Sequence, residues 1–454
     1  MKTKDPFYSK LFSLVVPIAF QQLMVALVSA SDALMLGLIS QDALAAVSLA
    51  GQVMFIYTLF QFAFTSGAGI FAAQYYGKGD MNSVEKILSI VLKFNISVAF
   101  VFSAAATFIP KVLMQIFTND ITLINYGAEY LQIMGLSYLM MGFSQVYLCI
   151  MKNCGMASRS ALISSVSMLL NIFMNAFLIY GIGFLPRLEI KGAALATLLS
   201  RIIELVWTLL QLSRKDSIKL RKKYLLKSDK NLFHDYCKYT APILGNELVW
   251  GCGFAMFSVI MGHLGSDATA ANSVANIVKN IMICFCMGTA NAGGIIVGNE
   301  LGQGKLDIAK EYASKTCKTA LIIGLISGGL ILAVSPVVVH FANLSETAAG
   351  YLQVMLVVCS YYVVGKTMNT TTIAGIFCAG GDSKFGFVCD IITMWVVVVP
   401  IGLISAFVLD LPVLTVYVLM NIDEIIKLPA VYINYKKYRW LKDLTRSNET
   451  EVIQ

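Results

Sequence analysis

The chain has 454 residues, 57% hydrophobic and only 13% charged, with a formal net charge of +8. Soluble domains carry about 25% charged residues, so this composition, with a mean hydropathy of +0.74, excludes a soluble globular protein. Runs such as Leu11–Ile39, Thr319–Ala342 and Phe385–Leu409 approach or exceed the ~20 residues that cross a bilayer as a helix. Membrane β-strands would show ~10-residue alternating segments instead. The fold class expected is all-α integral membrane.

In chain order, the basic start "MKTKDPFYSK" leads into an apolar run too long for a signal peptide, which makes it the first span. Twelve spans are predicted, near 11–38, 46–74, 87–109, 126–149, 160–183, 190–212, 239–264, 272–299, 314–337, 351–376, 386–409 and 411–433. The connections on one side hold Lys78, Lys86, Lys152, Arg159, Lys305, Lys310 and Lys384, together with both basic termini and the linker "SRKDSIKLRKKYLLKSDKN". The other side offers Lys111, Arg187 and Lys191. This asymmetry predicts cytoplasmic termini and a cytoplasmic linker. It accounts for the positive charge without nucleic acid, and without lipid recognition by the linker, although that segment suits anionic headgroups. Ten scattered cysteines form no CxxC pair or zinc pattern and read as small packing residues; no structural metal or cofactor is expected.

An internal repeat organises these spans. At a shift of 225, Pro17–Gly79 aligns with Pro242–Gly304 without gaps, and 18 of the 63 pairs are identical. Six spans is an even number, so the halves share one orientation. They form two parallel repeats related by a pseudo-two-fold axis along the membrane normal, as in rocking transporters. The expected division is an N-lobe over 1–212, a basic linker over 213–238 and a C-lobe over 239–454. Pro17 and Pro242 are equivalent, and each would bend its helix.

The strings "VPIAFQQ", "SASDALMLGLI", "GAGIFAAQYYGKGD" and "NIFMNAFLIYG" in the first half, with "APILGNELVWG", "GSDATAANSVA" and "NELGQGK" in the second, carry a resemblance. The chain resembles the multidrug and toxic compound extrusion (MATE) family of exporters, and looks closer to its DinF-type than its NorM-type branch. The resemblance implies exchange of amphipathic organic cations for protons or sodium ions. It also implies that Pro17 and Asp32 match the bent first helix and its coupling acid, and that Asn171 and Thr197 match polar positions of helices 5 and 6. Asn175 stands where the family has a second aspartate, a departure that leans toward one proton per Asp32 and leaves sodium as the alternative.

Charges inside spans face the protein interior or a wet cavity and are functional candidates. Asp32 has no basic residue near it in sequence, and its repeat equivalent is Phe257. A solitary carboxylate in an apolar setting holds a proton or binds a cation with neighbouring oxygens. Asn171, Asn175 and Thr197 can supply those oxygens, and the two asparagines, four apart, share a helix face. A structural acid hydrogen-bonded in the core is the alternative. In the second half, Glu247, Lys279, Lys366, Glu424 and Lys427 suggest a buried network around Glu247 or Glu424, which either fixes packing or switches partners. Arg201 and Glu204, three apart, read as a self-satisfied pair. Tyr57, Phe60, Tyr138, Phe254, Met256 and Phe257 are candidates for an adaptable aromatic and methionine cavity, with helix packing as the alternative for each.

These readings converge on a monomeric antiporter of the bacterial cytoplasmic membrane, taking small organic substrates amid membrane lipids. A lipid-linked oligosaccharide flippase of the same superfamily is the nearest rival. An intramembrane enzyme would need convergent motifs, and His234, His263 and His340 are isolated, with no HExxH, GxSxG or P-loop. A receptor or structural role is the remaining alternative, and has no use for the duplication.

Overall fold

The computed structural model describes residues 6–182, 186–342 and 344–445; the expected basic ends before Pro6 and after Thr445 lie outside them. In chain order the helices are α1 (Pro6–Gly37), α2 (Gln41–Lys78), α3 (Met81–Phe108), the short α4 (Pro110–Gln115), α5 (Ile121–Asn153), α6 (Ala157–Tyr180) and α7 (Glu189–Ser213). There follow α8 (Lys222–Leu226), α9 (Lys230–His263), α10 (Ser266–Gly302), α11 (Leu306–Phe341), α12 (Glu346–Thr370), α13 (Ser383–Asp390), α14 (Val399–Phe407), α15 (Val413–Met420) and α16 (Asp423–Lys436). Among the described residues, eleven helices are long and apolar enough to cross a membrane. Both Pro17 and Pro242 lie inside continuous helices.

The expected twelfth span differs in kind. It is divided at Asn421 and Ile422 into α15 and α16. Wide π-helical turns also occur at Thr371–Phe377, continuing α12, and at Ile391–Val398, joining α13 to α14. Hydropathy cannot register such interruptions, because the side chains stay apolar while the backbone pattern changes. In membrane proteins, broken helices and π-turns are tolerated where protein buries them, and they cluster at functional sites.

Polar side chains fix the helix starts. Asp80 accepts from the Ser83 backbone N–H at 3.1 Å, Asp120 from that of Thr122 at 2.7 Å, and Ser345 from that of Ala348 at 3.1 Å. Each satisfies one of the donors a helix start leaves orphaned. Phe100, Phe108, Ile322 and Val396 are exposed apolar residues on the spans, a surface suited to lipid tails rather than water.

The chain divides into two compact units. One comprises Phe20–Ala72 and Asp80–Cys237; the other comprises the chain up to Ala19, Ala73–Gly79 and everything from Lys238 onward. In the first unit the basic linker is pinned by ion pairs. Glu85 meets Arg221 at 2.6 Å and accepts from the Lys219 backbone N–H at 3.2 Å, while Lys86 meets Asp229 at 3.0 Å. Burial pushes the Asp229 carboxyl up, but backbone N–H donors from Leu232 and Asn231 and the Lys86 ammonium outweigh it and hold the group below its ordinary range.

The second unit contains a contact that repeats under the 225-residue shift. A Cβ at Gly77 would lie 2.1 Å from the Asn299 carbonyl oxygen, and one at Gly302 would lie 1.9 Å from that of Gln74. Gln74 and Asn299 are repeat equivalents, as are Gly77 and Gly302. The ends of α2 and α10 therefore cross backbone to backbone through a glycine on each side, which is why both repeats keep glycine there. Gly79 and Gly304 then turn the chain at φ of +83° and +72°, a conformation that favours glycine.

Candidate functional site

In the first unit, α1, α6 and α7 bring Asp32, Asn175, Asn171 and Thr197 into one hydrogen-bonded chain. The Asn175 amide donates from Nδ2 to the Asp32 carboxylate. The same nitrogen lies 3.3 Å from Asn171 Oδ1, and Asn171 Nδ2 donates to Thr197 Oγ1 at 3.2 Å. Thr197 closes the chain by donating to the Ala193 carbonyl at 3.1 Å. Asn171 and Asn175 are buried and Asp32 is half-buried. The helical spacing of the asparagines aims both at one point, as their positions four apart require.

Two features define the chemistry of this cluster. Among the described residues no Lys, Arg or His lies within 4.0 Å of the Asp32 carboxylate, so its charge has no built-in counter-ion. Asn175 Oδ1 is buried without a hydrogen-bond partner. A buried acceptor left unpaired costs free energy, and a rotated amide would turn this oxygen toward Asp32. The site can then receive a protonated carboxyl as donor, or a cation as ligand, using only side chains already in place. No trio of His, Cys, Asp or Glu suited to a bound metal occurs among the described residues.

Nearer the other end of α7, Arg201 pairs with Glu204 at 2.6 Å, and Gln145 donates to the second Glu204 oxygen at 2.6 Å. This is the self-satisfied pair expected from their spacing, with Gln145 on α5 as the added member.

In the second unit the charges gather on the interrupted helices. Lys366 meets Glu424 at 3.0 Å, and Lys427 meets Asp390 at 2.8 Å, Asp423 at 3.5 Å and Glu424 at 3.6 Å. Asn369 donates to Glu424 at 2.8 Å, and Lys366 stands 5.7 Å from the centre of the Trp250 ring. Asp423 and Glu424 occupy the first turn of α16, where free N–H groups and the helix dipole favour carboxylates. The break in the span thus creates the place that the acids fill. Lys366, Glu424 and Lys427 come together; among the described residues Glu247 and Lys279 form no ion pair within 4.0 Å. Asp390, absent from the sequence candidates, is legible in retrospect as a lone acid inside the run Phe385–Leu409.

The aromatic candidates separate by burial. Tyr57 and Tyr138 are fully buried with rings 5.2 Å apart, and Tyr57 donates to the Tyr138 carbonyl at 3.1 Å. They pack α2 against α5 and offer no surface to a substrate in this conformation. Phe60 packs on Phe102 at 6.1 Å. On α9, Phe254 is exposed and stacked on Trp250 at 5.7 Å, Phe257 meets Tyr417 edge-on at 6.2 Å, and Met256 is half-buried.

The spans, the duplication and the charges held inside them define a multi-pass membrane transporter. The MatE family profile matches the chain twice, over residues 17–177 and 242–404, and the chain belongs to that family. The two matches begin at the paired prolines. Among curated relatives, the chain is 21% identical to the uncharacterized transporter YisQ of Bacillus subtilis, over 97% of this chain and 96% of that one. It is 22% identical to the probable multidrug resistance protein NorM of Thermotoga maritima, over 98% and 96%. A solved MOP-superfamily transporter from Pyrococcus furiosus shares the fold with a TM-score of 0.86 at 18% identity, over 95% of each chain. Members of the family are transporters, not enzymes.

Proposed function

We propose that the protein is a cation-coupled antiporter that exports amphipathic, positively charged organic compounds by alternating access, with Asp32 as its coupling acid. The carrying observation is the half-buried Asp32 carboxylate, faced by Asn175 and without a basic partner within 4.0 Å among the described residues. Protonation would cancel its charge, weaken its hold on the Asn175 N–H and let it donate to an amide oxygen instead. That exchange of donor for acceptor shifts the packing of α1 against α6, with Pro17 as the compliant point of α1. An elementary charge crossing 100 mV supplies about 2.3 kcal/mol, enough to bias a two-state rearrangement. The proton is the preferred ion because the site holds a single carboxylate; sodium, bound by Asp32 with the oxygens of Asn171, Asn175 and Thr197, is the second choice.

The same reading places the chain nearer the DinF-type branch, as a monomer in a bacterial cytoplasmic membrane with both termini inside, in keeping with the basic residues of its connections. The test is export of a fluorescent organic cation from proteoliposomes under separately imposed pH and sodium gradients. A pH gradient alone is expected to drive uphill export in the wild type and none in Asp32→Asn. Undiminished uphill export by that variant overturns the role of Asp32.

A further inference from the structure

Among the described lysines inside the spans of the second unit, Lys279 is left out of the ion-paired cluster. It is 8% exposed. Among the described residues its ammonium has no carboxylate within 4.0 Å and no hydrogen-bond acceptor; its neighbour is the Tyr362 ring, 4.9 Å from centroid to Nζ. Lys366 and Lys427, by contrast, are each held by carboxylates. A ring face attracts a cation, but it does not replace the hydrogen bonds that an ammonium surrenders on leaving water.

Two further side chains on the same face of α10 are also incomplete. Asn272, Asn276 and Lys279 are spaced four and three residues apart, so they line one stripe of the helix. The Oδ1 atoms of Asn272 and Asn276 are both buried without a partner. Lys279 lies thirteen residues past Ser266, about 20 Å along the helix at 1.5 Å per residue, a depth at which transporters bind substrate rather than lipid headgroups.

The internal repeat supplies a control. Asn272, Asn276 and Lys279 correspond at the 225-residue shift to Val47, Gly51 and Met54. The equivalent helix therefore folds in the other repeat with no polar group at any of the three positions. Packing of a six-span unit does not demand this stripe, so its cost must be offset by something the second repeat alone does.

We propose that Lys279, with Asn272 and Asn276, forms a subsite that takes the carboxylate of an amphipathic substrate, so that the compounds carried include zwitterions with an acid at one end. The ammonium meets the carboxylate as a charge-assisted hydrogen bond. Tyr362 holds the ammonium in place in the empty state, and the two amides, whose oxygens have no partner to fix their orientation, turn an N–H toward the acid. This rests on the exporter reading only in calling the ligand a substrate.

The test compares rhodamine B, whose free carboxylate makes it a zwitterion, with its ethyl ester, a cation of nearly the same shape. Binding to purified protein is read by fluorescence polarisation, which needs no ion gradient. The wild type is expected to bind the acid more tightly than the ester. Lys279→Met is expected to lower the acid-to-ester affinity ratio at least tenfold, about 1.4 kcal/mol, while Lys279→Arg keeps most of it. Asn272→Val, which borrows the residue of the other repeat, should lower the ratio several-fold and carries the test if Lys279→Met does not purify as a monodisperse protein. A wild type that binds the acid no better than the ester, or binds neither, overturns the proposal. So does a ratio unchanged by these substitutions, or a parallel loss of both ligands, which would make Lys279 a packing residue. Binding that behaves as expected without gradient-driven export would leave this subsite standing and refute the exporter reading alone.

Discussion

Two buried sites, one in each unit, treat charge in opposite ways. Around Asp32 one carboxylate is met by the Asn175 amide, which leads on to Asn171 and Thr197, with no cation within 4.0 Å among the described residues. Around Glu424, three carboxylates and two lysines are joined by four ion pairs of 2.8–3.6 Å. A self-paired cluster already holds its counter-ions, so removing one member breaks the structure. An unpaired acid must find its counter-ion from outside, so removing it breaks the exchange. One sequence signal, an ionisable residue inside a span, therefore stands for two different roles.

The largest effect should come from the unpaired side. Asp32→Asn is expected to reduce gradient-driven export to the leak of empty liposomes while leaving the thermal transition within a few degrees of wild type. A large loss of stability would instead mark Asp32 as a structural acid. The paired side should respond in the reverse sense. Glu424→Gln leaves Lys366 and Lys427 without their shared carboxylate, and breaking such a pair costs about 3–5 kcal/mol. A thermal-shift measurement should show it, with much of the loss recovered in the double variant Lys366→Met, Glu424→Leu. If Lys366→Met alone keeps full stability and full coupled export, the cluster is neither support nor switch.

Where the repeats agree, the effects should agree too. Gly77→Ala and Gly302→Ala meet the same obstacle on opposite sides of one crossing, and overpacking of that kind costs about 1–3 kcal/mol. Unequal losses of thermal stability would show that the crossing is not the matched contact its distances indicate. The smallest effect belongs to the linker. Arg221→Ala removes an exposed partner of the buried Glu85, which keeps its bond from the Lys219 backbone N–H, and should cost less stability than Glu424→Gln in the same thermal-shift measurement. The Asp229 carboxyl, held low when folded, stabilises the linker at neutral pH, and that contribution fades as pH falls through and below the ordinary carboxylate range. Limited proteolysis after the linker lysines should therefore accelerate toward pH 4, and Asp229→Asn should flatten the profile.

Much of this was legible in the chain. The spans follow from hydropathy, and the repeat from an ungapped alignment whose end points, Pro17 and Pro242, also open the two family matches. Asp32 stood out because no neighbour in sequence could neutralise it, and Asn171 and Asn175 because the family resemblance matched them to helix 5 site positions that their four-residue spacing puts on one face. The Arg201–Glu204 pair follows from spacing alone, since i and i+3 meet on any helix. Less visible were Asp390 and Gln145, whose partners lie on distant helices, and the break at Asn421 that gives Asp423 and Glu424 a helix start. Tyr57 and Tyr138 show the opposite limit: an aromatic residue in an apolar run has the same sequence signature whether it lines a cavity or fills a core.

The sequence by itself determined that this is a duplicated bundle of membrane-spanning helices with a few costly charges inside, because a bilayer's thickness and its intolerance of charge act on every residue in turn. Only the tertiary structure decided which charges are neutralised and which are left open. Pairing across helices depends on which faces meet, and that depends on close approaches such as those at Gly77 and Gly302, on where a span breaks, and on the rotamer that carries each charged group to its neighbour.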